Sequence, residues 1–157
     1  MTRAELETAL ASYGAGLEAE LSLLRQLQAL AEREQEASLS DDLELVTRIS
    51  DDRARLMTGL LIVENGIKLL RPLLSDYRSE AELLPGFPDV AALHRVANRL
   101  VNTILTADQE TLRVLHEAAA ARRDALQAIE HGGQTLTAYR RVIAPPVANA
   151  SLFDSRG

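Results

Sequence analysis

The stretch VTRISDDRARLMTGLLIVENGIKLLRPLL, residues 46–74, decides the fold class of this chain. Two sets of positions recur in it every seven residues, offset by three: Val46, Arg53, Leu60, Ile67 and Leu74, and then Ile49, Leu56, Val63 and Leu70. All of them except Arg53 are apolar. This 3-4 repeat indicates a continuous α-helix that packs against other long helices at a shallow angle. A strand is excluded, because its side chains alternate with a period of two.

Composition limits the class of protein further. The 157 residues suffice for one domain with a sizeable core, and a chain that is 46% apolar but 3% aromatic favours helix packing over a β-sandwich. A net charge of −6 makes nucleic acid and anionic membranes unfavourable partners. The chain has no Cys, no signal-peptide-like N-terminus and no apolar run of the ~20 residues that a membrane span needs. We therefore expect a cytoplasmic protein without membrane insertion.

The first helix is predicted to begin near Thr2, which has capping-box spacing with Glu5. Gly14 and Gly16 predict frayed or bent first turns. The apolar stripe of this helix consists of Leu6, Leu10, Tyr13, Leu17, Leu21, Leu24, Leu27 and Leu30. Its opposite, solvated face is predicted to hold Glu18, Glu20, Arg25, Glu32, Arg33, Glu34 and Glu36.

The second helix follows a turn over residues 38–41. We expect Asp41 to cap it, with Glu44 at the third position, and the helix to run to about Leu74 with Pro72 bending or ending it. Gly59 and Gly66, seven residues apart, are either tolerated glycines or a line of close approach for a partner helix.

The third helix is predicted to follow a loop over residues 75–88 and to be capped by Asp89. Its stripe runs through Leu93, Ala97, Leu100 and Ile104, then through Leu112, Leu115, Ala119, Leu126 and Ile129. The two halves join at Asp108 with a stutter. Asp108 is either a buried acid, a partner contact, or an acid at a helix break.

The end of the chain is predicted to leave the helical core. Gly132-Gly133 should end the third helix, and residues 134–143 should form a further helical turn before Pro145-Pro146. The complete prediction is an all-α fold, an antiparallel bundle of three long helices with coiled-coil-like packing and a short C-terminal helix or tail. We expect a bundle domain over residues 1–143 and a flexible tail over residues 144–157.

Catalytic and metal-binding patterns are absent from the sequence. His94, His116 and His131 lack the i, i+4 spacing of metal-binding helices, and no Glu-x-x-His pair recurs as in di-iron bundles. No phosphate-binding loop and no nucleophile elbow occurs. We therefore expect a binding protein rather than an enzyme, with no cofactor and no metal.

Several segments of the chain share one pattern. It begins at residues 36–45, EASLSDDLEL, and continues through Arg48, Arg53, Arg55, Glu64 and Asn65. It includes residues 98–102, NRLVN, and residues 135–139, TLTAY, and extends to the tail at residues 153–157, FDSRG. In these segments the chain resembles the FlgN-like flagellar export chaperones, small cytoplasmic proteins that hold hook-associated, or hook–filament junction, proteins before their secretion.

The resemblance implies that the C-terminal part binds the disordered helical termini of hook-associated proteins, and that Tyr139 docks the export gate or, alternatively, packs at a helix end. The partner-binding residues expected are Leu112, Leu115, Leu126, Ile129, Leu136, Tyr139, Val142, Ile143, Leu152 and Phe153. The alternative is a structural coiled coil that forms a homodimer and has no export client.

Overall fold

The computed structural model describes residues 1–143 of the chain, and their side chains as far as Arg141. Within this range the elements are α1 (Arg3–Leu39), α2 (Leu43–Ile67), α3 (Leu70–Asp76), α4 (Arg78–Ala81) and α5 (Phe87–Ile143). No strand occurs among these residues, so the all-helical prediction is confirmed. The chain divides into two compact units: the first is Met1–Leu115, and the second begins at His116.

The start of α1 confirms the predicted capping box. The Glu5 N–H donates to Thr2 Oγ1 (3.2 Å), and the Thr2 N–H donates to Glu5 Oε2 (2.6 Å). The fraying predicted at Gly14 and Gly16 is wrong, because α1 continues unbroken through both. These glycines instead allow close packing, since a Cβ on Gly16 would collide with Ile67 Cγ2 and one on Gly14 would lie 3.0 Å from Val90 Cγ2.

The turn between α1 and α2 is a Schellman motif. The Asp42 N–H donates to the Ala37 carbonyl (3.0 Å), the Asp41 N–H donates to the Ser38 carbonyl (3.2 Å), and Asp41 has φ 55°. Asp41 is therefore the left-handed residue that closes α1, and the prediction that it caps α2 is wrong. The cap is Asp42, which accepts from the Leu45 N–H at 3.1 Å.

The second helix is shorter than its heptads predict. It ends at Ile67, and α3 begins at Leu70. Pro72 explains the break, because it cannot donate to the carbonyl of Lys68 and its ring crowds that carbonyl. The loop predicted over residues 75–88 is shorter in the structure, because α4 lies within it and α5 already begins at Phe87. Asp89 therefore lies in the first turn of α5.

The core of the first unit is built mainly on α1. A cluster of Leu21, Leu24, Leu27 and Ala31 packs with Ala97 and Ile104 of α5 and with Leu56 and Leu60 of α2. Contacts between α1 and α2 pair residue numbers that run in opposite directions, from Glu34 with Arg53 to Gly16 with Ile67. Of the two readings open for Gly59 and Gly66, the described residues favour tolerated glycines: a Cβ on Gly59 would make an ordinary contact with Leu23, and nothing lies within 4 Å of a Cβ on Gly66.

The last helix, α5, has neither of the interruptions that the sequence predicts. It continues through Asp108 and through Gly132-Gly133, so the predicted helix break, the C-cap and the separate C-terminal helix are wrong. The predicted stutter is also wrong, because Thr111 is buried while Leu112 is exposed. The buried stripe of the first unit therefore continues from Ile104 to Thr111 in one heptad step.

Candidate functional site

Three features of the described residues are candidates for function: two clusters of charged side chains in the first unit and a row of exposed apolar side chains in the second. The first cluster is centred on Arg53, the charged member of the α2 seam. Arg53 Nη1 and Nη2 donate to Asp108 Oδ1 (2.7 Å) and Oδ2 (2.8 Å), and Nη1 also donates to Glu34 Oε1 (2.9 Å). These hydrogen bonds join α1, α2 and α5 through one guanidinium.

The surroundings make this pairing stronger than a surface ion pair. The side chains of Arg53, Glu34 and Asp108 are only 18%, 12% and 26% exposed. The hydrogen bonds to Asp108 are the main cause that raises the pKa of Arg53, and the charges of both acids add to it. Of the readings open for Asp108 in the sequence, the structure favours the half-buried acid.

A second cluster joins the first half of α1, the end of α2 and the start of α3. It consists of Tyr13, Glu20, Glu64 and Arg71. Arg71 Nη2 donates to Glu64 Oε2 (2.7 Å), Nη1 donates to Glu64 Oε1, and Nε donates to Tyr13 Oη (3.1 Å). The guanidinium carbon also lies 5.8 Å from the centre of the Tyr13 ring, within cation–π range. Glu64 is therefore held as a carboxylate, and its pKa is lowered to about 2, mainly by the hydrogen bonds from Arg71.

Glu20 is the buried acid of this second cluster. Its pKa is raised to about 7, first by burial and then by the contact with the Glu64 carboxylate. Arg71 opposes this effect by attraction. Glu20 Oε1 has no hydrogen-bond partner among the described residues, and burial together with the Glu64 carboxylate favours the protonated form of Glu20.

Sequence reasoning missed Glu20 and wrongly placed both Glu20 and Glu34 on a solvated face, whereas both are buried. The signal was present in the spacing. In α1, positions 13, 17, 20, 24, 27, 31 and 34 alternate by three and four residues, so both glutamates lie in the apolar register. The position of each glutamate on the helix, and not its residue type, therefore decides that it is buried.

A groove of about 260 Å³ opens beside Glu20 in the first unit. Its apolar wall includes Leu24, Leu60 and Val101, and His94 and Asn98 of α5 also line it. A larger groove of about 810 Å³ lies between α1 and the part of α5 around Asn102. The residues 98–102 that carry part of the family resemblance therefore border two open grooves.

The predicted partner-binding residues fall into three groups. In the first unit, Leu112 is exposed and Leu115 is half-buried. In the second unit, exposed side chains on a continuous helix belong to Leu126 (60%), Ile129 (71%), Leu136 (69%) and Tyr139 (61%). Val142 and Ile143 are the last two residues of α5. Leu152 and Phe153, like the rest of the predicted tail over residues 144–157, lie outside the described residues.

Residues 1–143 contain neither a cluster of metal-ligating side chains nor a helix that could span a membrane. No group of three or more His, Asp or Glu side chains in this range could hold a metal ion. None of the described helices combines the length and the hydropathy needed to cross a membrane. No family model, no curated protein and no solved structure matches the chain.

Proposed function

We propose that the chain is a cytoplasmic export chaperone of the FlgN-like kind. In this role it binds the disordered helical termini of hook-associated proteins and delivers them to the flagellar export gate. The proposal combines the family resemblance of the sequence with one observation on the described residues. That observation is the row of exposed apolar side chains on α5.

The exposed row supports binding of a helix. Leu126, Ile129 and Leu136 lie on one continuous helix at helical spacing, and each exposes more than half of its side chain. Several large apolar side chains exposed together are typical of a protein-binding surface, whereas single ones are not. An amphipathic client segment would cover them by folding as a helix, which would also prevent the client from assembling early.

The remaining parts of the proposal come from the resemblance. Tyr139, with most of its ring exposed, is the proposed contact with the export gate. Residues 144–157, with Leu152 and Phe153, are proposed to contribute to client binding. Exchange of Tyr139 to Ala should leave client binding unchanged and reduce secretion, and unchanged secretion would remove this role from Tyr139.

The test is binding of purified hook-associated proteins to the full chain, measured by light scattering. We expect a 1:1 complex, weakened at least tenfold by Leu126→Ser or Ile129→Ser, because each change removes apolar area from the contact. Leu83→Ser is the matched control, since Leu83 is a leucine of the first unit with an exposed side chain. Failure of every hook-associated protein to bind at micromolar concentration would refute the proposal.

The second candidate function is a homodimeric coiled coil with no export client. The same exposed row favours it, because a second copy would also cover Leu126 and Ile129. Light scattering of the protein alone separates the two functions. A stable dimer that does not exchange for a client would support the coiled coil.

The finer architecture belongs to the same proposal. We propose that α1, α2 and the first part of α5 form an antiparallel three-helix bundle. The opposite order of the pairs Glu34–Arg53 and Gly16–Ile67 supports this arrangement for α1 and α2. Deletion of residues 144–157 should leave helicity and melting temperature nearly unchanged while weakening client binding; a collapse of the melting temperature would place the deleted residues in the core.

A further inference from the structure

The groove beside Glu20 in the first unit combines apolar walls with a buried acid that lacks a partner. Its apolar side chains come from three helices: Leu17 and Leu24 of α1, Leu60 and Leu61 of α2, and Ala97 and Val101 of α5. Glu20, Glu64 and Arg71 line the same groove. Glu20 is only 7% exposed, and its Oε1 has no hydrogen-bond partner among the described residues. A buried polar atom without a partner is costly, so this oxygen indicates a group that a bound molecule would supply.

The charges around the groove indicate which kind of group is missing. Arg71 donates to Glu64 from Nη1 and Nη2 and to Tyr13 from Nε, so these hydrogen bonds leave Glu20 unpaired. When both acids are ionised, the charges of Glu20, Glu64 and Arg71 sum to one net negative charge. A cation beside Glu20 would balance this charge and donate to its free oxygen.

The other titratable groups near the groove do not provide this cation. Lys68, at the C-cap of α2, is exposed, and its charge acts on Glu64 rather than on Glu20. His94 of α5 lines the groove, where its Nδ1 lies 3.5 Å from Asn98 Nδ2. The positive charge is therefore expected to come from outside the chain.

We infer that this groove binds a small organic ammonium ion, whose N–H groups pair with the Glu20 carboxylate and whose apolar chain covers the leucines of the wall. The terminal torsion of a Glu side chain is broad, so the carboxylate can turn an oxygen towards the groove. A metal ion is disfavoured, since the described residues hold no cluster of three ligating side chains. The volume of about 260 Å³ lies below the ~300–1,000 Å³ of sites for drug-sized ligands and suits a small molecule rather than a helix.

Binding of the ammonium ion should be linked to the proton of Glu20. Burial, and then the Glu64 carboxylate, raise the pKa of Glu20 to about 7, so below this pH a cation has to displace a proton. The ammonium ion itself stays charged, because an alkylamine resembles Lys, whose pKa is about 10.4. Binding should therefore tighten about tenfold between pH 6 and pH 8. This inference goes beyond the proposed function and does not depend on it.

The test is titration of the full chain with hexylamine, hexan-1-ol, hexanoate and methylamine in phosphate buffer, followed by NMR shifts of the backbone amides. At pH 8 hexylamine should bind with a Kd of about 1 mM or tighter and shift amides around the groove. The alcohol and the carboxylate should bind at least about tenfold more weakly, because neither pairs with an ionised acid. Methylamine should also bind at least about tenfold more weakly, since each covered CH₂ contributes about fourfold.

Three variants assign the effects to particular side chains. Glu20→Gln keeps the shape of the side chain but should abolish both the preference for the amine over the alcohol and the dependence on pH. Glu18→Gln, which makes the same charge change at an exposed position of α1, should keep both. His94→Gln should keep the dependence on pH, which separates the titration of Glu20 from that of the histidine.

Several results would overturn the inference. They are equal binding of hexylamine and hexan-1-ol, unchanged hexylamine binding in Glu20→Gln, and no binding of hexylamine at about 10 mM. Amide shifts spread over the surface instead of the groove would show a general attraction to an acidic protein and would also overturn it. Loss of the pH dependence in His94→Gln would overturn the role of the Glu20 proton.

Discussion

Exchange of Glu20 to Gln should stabilise the protein at alkaline pH and leave it nearly unchanged at acidic pH. Glu20 is buried, and burial together with the Glu64 carboxylate favours a proton on the Glu20 carboxyl group below about pH 7. The amide of Gln has nearly the same shape and donates to Glu64 without a titrating proton. The variant therefore removes the ionisation of one buried group and keeps its hydrogen bond.

The sign and size of the effect follow from the pKa of Glu20. Folding raises this pKa from 4.5 to about 7, mainly through burial and then through the contact with Glu64, against the attraction of Arg71. The corresponding stability is fully present below pH 4.5 and is lost as the pH rises through about 7. At ~1.4 kcal/mol for each pH unit, the free energy of unfolding of the native chain falls by about 3 kcal/mol across this interval.

The neighbouring charged groups do not obscure the change in stability between pH 4.5 and about pH 7. The pKa of Glu64 is lowered from 4.5 to about 2, so its stabilising contribution is present above pH 4.5 and is lost only as the pH falls through about 2. Arg71 stays charged throughout.

The assay is urea unfolding followed by circular dichroism between pH 4 and pH 8, with the free energy of unfolding taken by linear extrapolation. The difference between Glu20→Gln and the native chain should grow in favour of the variant from pH 4.5 and level off above pH 7, at about 3 kcal/mol. Glu18→Gln, at an exposed position of the same helix, controls for the change in net charge. A difference that stays flat, or a variant that is less stable at pH 8, would refute the assignment of Glu20 as a buried neutral acid.

Further substitutions test the other features of the first unit. Asp108→Asn should lower the free energy of unfolding by roughly 1–3 kcal/mol in the same assay, because it removes the bidentate carboxylate from the partly buried Arg53; no change would refute a stabilising role. Gly16→Ala should destabilise by about 1–3 kcal/mol through the collision with the helix packed on it, whereas Gly66→Ala should stabilise by up to about 1 kcal/mol. Equal effects of these two substitutions would refute the close approach at Gly16. Asp41→Gly should raise the thermal melting temperature, by a gain of about 0.5–1 kcal/mol, since glycine adopts the positive φ without strain; a lower melting temperature would refute that explanation.

Much of the fold could be predicted from the heptads. The seam of α2 specifies a helix over most of residues 46–74, and Pro72 marks where it fails. The position of the break, one turn before Pro72, follows from the carbonyl that proline leaves without a donor. In the turn between α1 and α2, Asp41 and Asp42 are equally good helix caps by residue type, so the sequence does not say which one caps α2. The backbone geometry decides, because Asp41 has a positive φ and Asp42 accepts the capping hydrogen bond.

The candidate site could be predicted only in part, because it depends on how distant segments align. Arg53 is recognisable as a charged residue on an apolar seam, but its partner Asp108 lies 55 residues away. The sequence cannot supply that alignment without the packing itself. The same holds for Gly16. A side chain at this position is excluded only because Ile67 of another helix packs against it. Features set by the sequence of one helix, such as its extent, can be predicted more easily than contacts between two helices.

The buried charges explain how helices with such a repetitive apolar pattern adopt one alignment. A leucine repeat looks the same after a shift of seven residues, so apolar packing alone favours several registers of α1 against α2 almost equally. Glu20 and Glu34 are fourteen residues apart on α1, and each contacts a polar cluster that a heptad shift would separate. A shift would remove one of the two carboxylates that accept hydrogen bonds from Arg53 and would leave the buried Glu34 without this partner, which is unfavourable. The charged seam residues therefore select the register, and their partners should be exchanged together rather than singly in any redesign of this core.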